Sequence, residues 1–278
     1  VKRRNLIKIL PLGALFPYQL LNAFADKQSF SDPSMAPEHQ QDIDEIFNQA
    51  VVIDGLLIPR GWNEKSFNAL AKSGYTGFNA SLVSTNLKLA LESMAEWTKR
   101  IADHPDKLLQ ANTADDFVRA KKENKVAVMY GFQNATMVEN SVNNVDVLYK
   151  AGARWIQLTY NQRNLLGDGC TERTNAGLSD FGIEVVERMN EVGIIVDLSH
   201  CGRQTTNDGI AFSKSGVSFN HTMCEALYKN HPRSKTDEQI RAMADKGGMM
   251  GVISLGYMIG PDPGGETTLE NYVNHIEH

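Results

Sequence analysis

Short runs of apolar, often β-branched residues alternate along this chain with longer stretches whose apolar positions recur at helical spacing. The short runs fall at 51–53, 75–79, 126–131, 155–158, 194–198, 217–219 and 249–253 and predict strands. Between them, amphipathic segments such as 87–102, 114–122, 181–192 and 237–246 predict helices. Start signals precede several of these: Thr113 before Asp115 and Asp116, Ser179 before Asp180, and Thr236 before Asp237 and Glu238. Gly193, Gly216 and Gly247 stand where helix C-caps are expected. Apolar strands alternating with helices make a parallel sheet covered on both faces. Seven such units favour an α/β fold of the (β/α)8 TIM-type barrel over a doubly wound sheet, and no Gly-x-Gly-x-x-Gly turn follows the first run. The count is one strand short. A barrel without its last strand exposes two edges, so the expectation is truncation of a longer protein after the helix-like stretch near Glu270.

The first 25 residues read differently. Lys2, Arg3 and Arg4 lead into a modest apolar stretch from Ile9 to Phe24 and the small-x-small triplet Ala23-Phe24-Ala25. That is the layout of a secretory signal peptide, with a twin-arginine character from Arg3-Arg4. Pro11, Gly13 and Pro17 interrupt the run, whereas a bilayer span needs about 20 continuous apolar residues. The expectation is export to the periplasm or outside the cell, with no stable membrane span after cleavage. Residues 26–45, polar and carrying Pro33 and Pro37, read as a linker, and 46–278 as one barrel domain. A net charge of −5 argues against nucleic acid as a main partner. Cys170, Cys201 and Cys224 form no regular disulfide framework.

Barrel enzymes carry their chemistry at the carboxyl ends of the strands. Those ends read Asp54-Gly55-Leu56-Leu57-Ile58, Gly131-Phe132-Gln133-Asn134, Thr159-Tyr160-Asn161, Asp197-Leu198-Ser199-His200 and Phe219-Asn220-His221. His200 and His221 therefore end consecutive strands, which in a sheet lie about 4.8 Å apart. Two imidazoles at that separation suit zinc or a similar divalent ion. The loop Gly167-Asp168-Gly169-Cys170-Thr171-Glu172-Arg173 offers further ligand types, and reads equally as a glycine-rich turn with solvated charges. The segment from Gly260 to Gly265 reads as a rim loop. There is no serine nucleophile elbow and no phosphate-binding loop.

Several ordered motifs now point one way. The stretch Gly177-Leu178-Ser179-Asp180-Phe181-Gly182, then Val185-Val186, Met189-Asn190 and Gly193-Ile194-Ile195-Val196-Asp197-Leu198-Ser199-His200, resembles the membrane (renal) dipeptidase family of metallo-dependent hydrolases. So do Asn220-His221-Thr222, His231-Pro232-Arg233-Ser234 and Asp237, and the likeness runs from about Val51 to the end. The resemblance implies a peptide hydrolase that cleaves dipeptides with a metal-activated water held between two zinc ions. It implies His200 and His221 as metal ligands, Gln133 at the place of a bridging glutamate, and Arg233 as the anchor of the substrate carboxylate. It also implies Tyr160 as an oxyanion donor in place of a histidine, and Tyr257 near a substrate-facing tyrosine. Where the family has a His-x-Asp pair after the first strand, this chain has Leu56 and Ile58. The expectation is therefore a divergent member with one zinc ion rather than two, a metal-free site being left open. Its substrate would be a dipeptide-like amide, its general base would lie beyond His278, and a homodimer is left open. The alternative is an inactive barrel homologue that binds a small peptide or modified precursor.

Overall fold

The computed structural model describes residues 37–59, 61–229, 231–260 and 267–278. Helix α1 (Pro37–Gln49) leads into β1 (Ile53–Leu57), α2 (Glu64–Ser73), β2 (Gly77–Ser81), α3 (Leu87–Asp103), β3 (Leu108–Gln110) and α4 (Ala114–Glu123). There follow β4 (Val126–Phe132), α5 (Asn143–Ala151), β5 (Ala153–Gln157), α6 (Asp180–Val192), β6 (Ile195–Asp197) and α7 (Arg203–Phe212). The described chain closes with β7 (Ser218–Thr222), α8 (Asp237–Asp245), β8 (Met249–Val252), α9 (Gly256–Ile259) and α10 (Leu269–Glu277).

The strands run in the order β1-β2-β4-β5-β6-β7-β8, all parallel, and form a nearly closed barrel of seven strands. Among the described residues β8 and β1 do not pair, so one seam is unsealed. The extra strand β3 pairs with residues 126–128 of β4, while β5 pairs with residues 130–132. The two therefore share one edge of β4, end to end.

All seven predicted apolar runs become strands. β1 and β2 lie about two residues further along than the apolar runs suggested, β1 taking in polar Asp54 and β2 polar Ser81. The predicted helix starts hold physically. Thr113 and Thr236 each form a reciprocal capping box, and the Ser179 hydroxyl accepts from the Gly182 amide at 3.0 Å. Gly193 caps α6 in the left-handed region at φ 92°.

Two expectations change. Gly216 caps no helix: α7 ends earlier, with Ser213 at its C-cap, and Gly216 instead lies against the Gly247 carbonyl where a side chain would not fit. The segment read as a linker already contains α1 from Pro37; proline breaks helix interiors but is favoured at the first helical position. The predicted signal segment and the stretch 261–266 fall outside the described residues.

Apolar packing holds the scaffold. Beneath the loop after β1, Trp62 meets Trp97 edge-on at 5.0 Å and stacks on Phe78 at 5.8 Å, with Phe67 edge-on at 5.6 Å. Across the barrel, α7 approaches β6 through Gly209, where a Cβ would come within 2.5 Å of the Leu198 side chain. That close approach draws the β6–α7 turn, which carries His200, onto the wall.

Candidate active site

Between β6 and β7 the interior is polar and fully satisfied. Asp197, without solvent exposure, accepts from the Ser199 amide at 3.0 Å, the Ser218 hydroxyl at 2.8 Å and the Asn220 amide at 2.8 Å. These bonds lace the end of β6 to β7 and partly offset the burial that pushes the Asp197 carboxyl up. His200 follows three residues after β6, and His221 is the penultimate residue of β7.

The two imidazoles converge. Their Nε2 atoms lie 2.8 Å apart, with ring centroids at 4.9 Å and planes inclined by 48°. His200 Nδ1 lies 2.7 Å from Asn161 Oδ1, and His221 Nδ1 is hydrogen-bonded to Asn220 Oδ1. Burial pushes both histidines well below their usual range, and the cations Arg233 and Lys235 add to the effect. Both rings are therefore neutral near pH 7, the form that ligates a metal.

The other sequence-predicted residues take varied positions. Tyr160 stacks on His200 with centroids 4.1 Å apart and planes at 22°, and is 44% exposed, so it covers that ring on the solvent side. Arg233 is buried behind the histidines, where Nη1 donates to the Ser199 carbonyl and Nη2 to the His221 carbonyl at 3.0 Å. Gln133 is turned to other partners: Nε2 donates to Ser81 Oγ at 3.0 Å, and its carbonyl accepts from Gln157. No hydrogen bond joins Gln133 to either imidazole among the described residues. Tyr257, on α9, is 69% exposed. Leu56 is half-buried and Ile58 exposed, and neither carries a donor atom for a cation.

The loop after β5 proves to be a brace. Asp168 is held by Arg163 Nε at 2.5 Å, Thr174 Oγ1 at 3.0 Å and the Ala176 amide at 2.8 Å. Glu172 accepts from the Arg163 and Arg173 amides at 3.1 and 3.2 Å. The Cys170 thiol donates to Asn161 Oδ1 at 3.4 Å, on the Nδ1 side of His200 and away from the converging Nε2 atoms.

Among the described residues, no three His, Cys, Asp or Glu side chains gather as a cation site. The pair of neutral, converging imidazoles nonetheless fits one divalent ion as part of its ligand set, and nothing after β1 fits a second. Sequence reasoning assigned no role to Asn161, Asn220, Asp197 or Lys235. Lys235 is fully buried; its ammonium donates to the Cys201 carbonyl at 3.2 Å and Thr206 Oγ1 at 2.9 Å. Burial brings its pKa down to about 8. The one signal was its place two residues after Arg233.

The model of the family described as membrane dipeptidase (peptidase family M19) matches residues 19–278. Dipeptidase verJ of Clonostachys rogersoniana is 30% identical over 180 residues, covering 64% of this chain and 45% of that protein. The chain thus spans under half the length of that curated relative. The crystal structure of an amidohydrolase from Pseudomonas aeruginosa superposes with TM-score 0.78 at 36% identity, covering 84% of this chain and 71% of that one. A metallo peptidase from Rhodobacter sphaeroides, solved with a phosphinate mimic of the dipeptide L-Ala-D-Ala, shares the fold at TM-score 0.71 and 16% identity, covering 82% and 81%. With its motifs, its barrel and a family match over nearly its whole length, the chain belongs to the membrane dipeptidase family, peptidase family M19.

Proposed function

We propose that this chain forms a dipeptidase-type hydrolase site built on one zinc ion, with a dipeptide-like amide as substrate. The observation that carries the reading is the 2.8 Å convergence of two neutral imidazole Nε2 atoms at neighbouring strand ends. Zinc, when bound, polarises a carbonyl and makes a water nucleophilic at neutral pH. His200 and His221 would hold it, and Gln133, whose Nε2 donates to Ser81, would have only its Oε1 to offer.

The remaining groups define how a substrate is held. Arg233 and Lys235 place two buried cations beside one buried carboxylate, Asp197, an excess of positive charge that favours an anionic ligand. Arg233 commits two of its five N–H donors to backbone carbonyls; those that remain would meet the terminal carboxylate of a dipeptide. Tyr160, exposed over the His200 ring, would donate its phenol to an oxygen that gains charge during the reaction. Tyr257, exposed on α9, would border the other side of the substrate. The basic and apolar pattern of residues 1–25 supports an exported location for this activity. Among the described residues no helix is long and apolar enough to cross a membrane.

Metal analysis after dialysis against zinc tests the reading. About one zinc per chain is expected, lost in His200→Ala and in His221→Ala. Hydrolysis of a panel of dipeptides should then show a raised KM in Arg233→Ala; an unchanged rate and KM would remove Arg233 from the site. If the protein takes up no zinc yet still binds peptide, the barrel is a binding protein.

A further inference from the structure

Asn220 has only one way to face His221. Its Nδ2 donates to the Gly55 carbonyl at 3.1 Å, which leaves Oδ1 as the acceptor for the Ser199 hydroxyl at 2.9 Å and for His221 Nδ1. A carbonyl oxygen opposite Nδ1 obliges that nitrogen to carry the proton. The Gly55 carbonyl is free to receive Asn220 because the β1–β2 ladder shifts register between Asp54 and Leu57. Asn79 Nδ2 donates to the same carbonyl at 3.1 Å, which fixes it from β2.

Asn161 treats His200 alike. It lies in the left-handed region at φ 51°, and its carbonyl accepts from the Thr171 amide at 2.8 Å and the Thr171 hydroxyl at 2.9 Å. Its Oδ1 receives both the Cys170 thiol and His200 Nδ1. Both Nδ1 atoms thus face an amide oxygen, while the Nε2 atoms lie 2.8 Å apart, a separation that two unprotonated nitrogens hold only with a cation between them and relax from without one.

We propose that Asn161 and Asn220 are positioning residues that hold His200 and His221 in the Nδ1–H tautomer, with β1 acting on the site through the Gly55 carbonyl instead of through ligands. The importance of this for zinc rests on the reading above, while the tautomer assignment does not. Hydrogen-bond partners that orient a ligating histidine typically change metal affinity by about ten- to a hundredfold.

The test is a two-bond 1H–15N spectrum of histidine-labelled, metal-free protein, followed by a zinc competition titration. The unaltered protein should show both rings protonated at Nδ1. Asn220→Leu should shift His221 toward the Nε2–H form while His200 keeps its own, and weaken zinc binding about ten- to a hundredfold. Asn220→Asp, which retains an acceptor, should keep the Nδ1–H form. Asn161→Gly removes the acceptor at the half-buried rim without disturbing the backbone conformation, and should shift His200 alone; it serves if Asn220→Leu does not fold. Rings protonated at Nε2 in the unaltered protein, or variants with unchanged tautomers, overturn the proposal. Correct tautomers in a protein that takes up no zinc overturn only the metal reading.

Discussion

The strand ends at β1 and at β6–β7 occupy equivalent positions on one barrel and are stabilised by opposite means. At the end of β1 the chain presents Leu56 and Ile58, while Leu57 packs into the apolar cluster that holds Trp62, Phe67, Phe78 and Trp97. After β6 and within β7 it presents His200 and His221 against Asp197, Asn220, Ser199, Ser218 and two buried cations. Burying polar groups is costly unless each finds a partner, and almost every one in the second region has one. The comparison teaches that the fold does not require the polar end: aromatic packing serves as well at β1. The hydrogen-bond lattice around β6 and β7 instead fixes where the two imidazoles point.

The largest expected effect separates the regions directly. His221→Ala should abolish stoichiometric zinc uptake, whereas Leu56→Ala should leave it unchanged, as read by metal analysis. Zinc loss in both variants would mean that β1 contributes to the ion after all. Next, the apolar end can be converted: Leu56→His with Ile58→Asp and Gln133→Glu should raise the zinc content from about one to about two per chain, since these are the ligand types the family resemblance assigns to the missing half. A content that stays at one would show that the β1 backbone, not its side chains, bars the second ion.

The sequence made much of this visible and left a definite part hidden. Strands such as β4 and helices such as α3 announce themselves because burial needs only the right residue type at the right spacing. Strand β3 escaped because Leu108–Gln110 is three residues long and has no period to read. Helix α7 showed only through the cap expected at Gly216, and its end was misplaced, because its buried face is Thr205, Thr206, Gly209 and Ile210, small or polar residues that carry little apolar period. His200 and His221 were legible as strand-end histidines, and the geometry brings them together. The parts played by Asn161, Asn220 and Lys235 were not legible. They depend on which atom of a side chain faces a neighbour dozens of residues away, such as Asn220 against Gly55.

A smaller effect concerns pH. The Lys235 ammonium is fully buried with a pKa of about 8, against 10.5 for the free side chain, and is surrounded by Cys201, Arg233, Cys170 and Asp197. Between those values the unfolded chain binds more protons, so stability rises with pH. Relative to Lys235→Met, the unaltered protein should gain up to roughly 3 kcal/mol between pH 7.5 and 10.5 in urea unfolding. Parallel pH profiles would show that the folded-state amine keeps the ordinary lysine value and is therefore solvated. The smallest expected effect makes the two regions equal. Asn63→Ala and Thr236→Ala, which remove the N-caps of the helices following β1 and β7, should each cost about 1 kcal/mol. A clear difference between them would show that the polar end also depends on its helix.

Gly55 carries a consequence for how this surface tolerates change. A Cβ there would meet the Asn220 carbonyl oxygen at 2.9 Å, so even alanine would press β1 away from β7 and drag the amide off its histidine. Positions 56 and 58 could exchange a cation-binding pair for hydrocarbon while the neighbouring imidazole kept its aim, provided the bare backbone unit between Asp54 and Leu56 stayed as it was. A saturation library at positions 55, 56 and 58 screened for retained zinc should therefore return wide variety at the last two and glycine alone at the first.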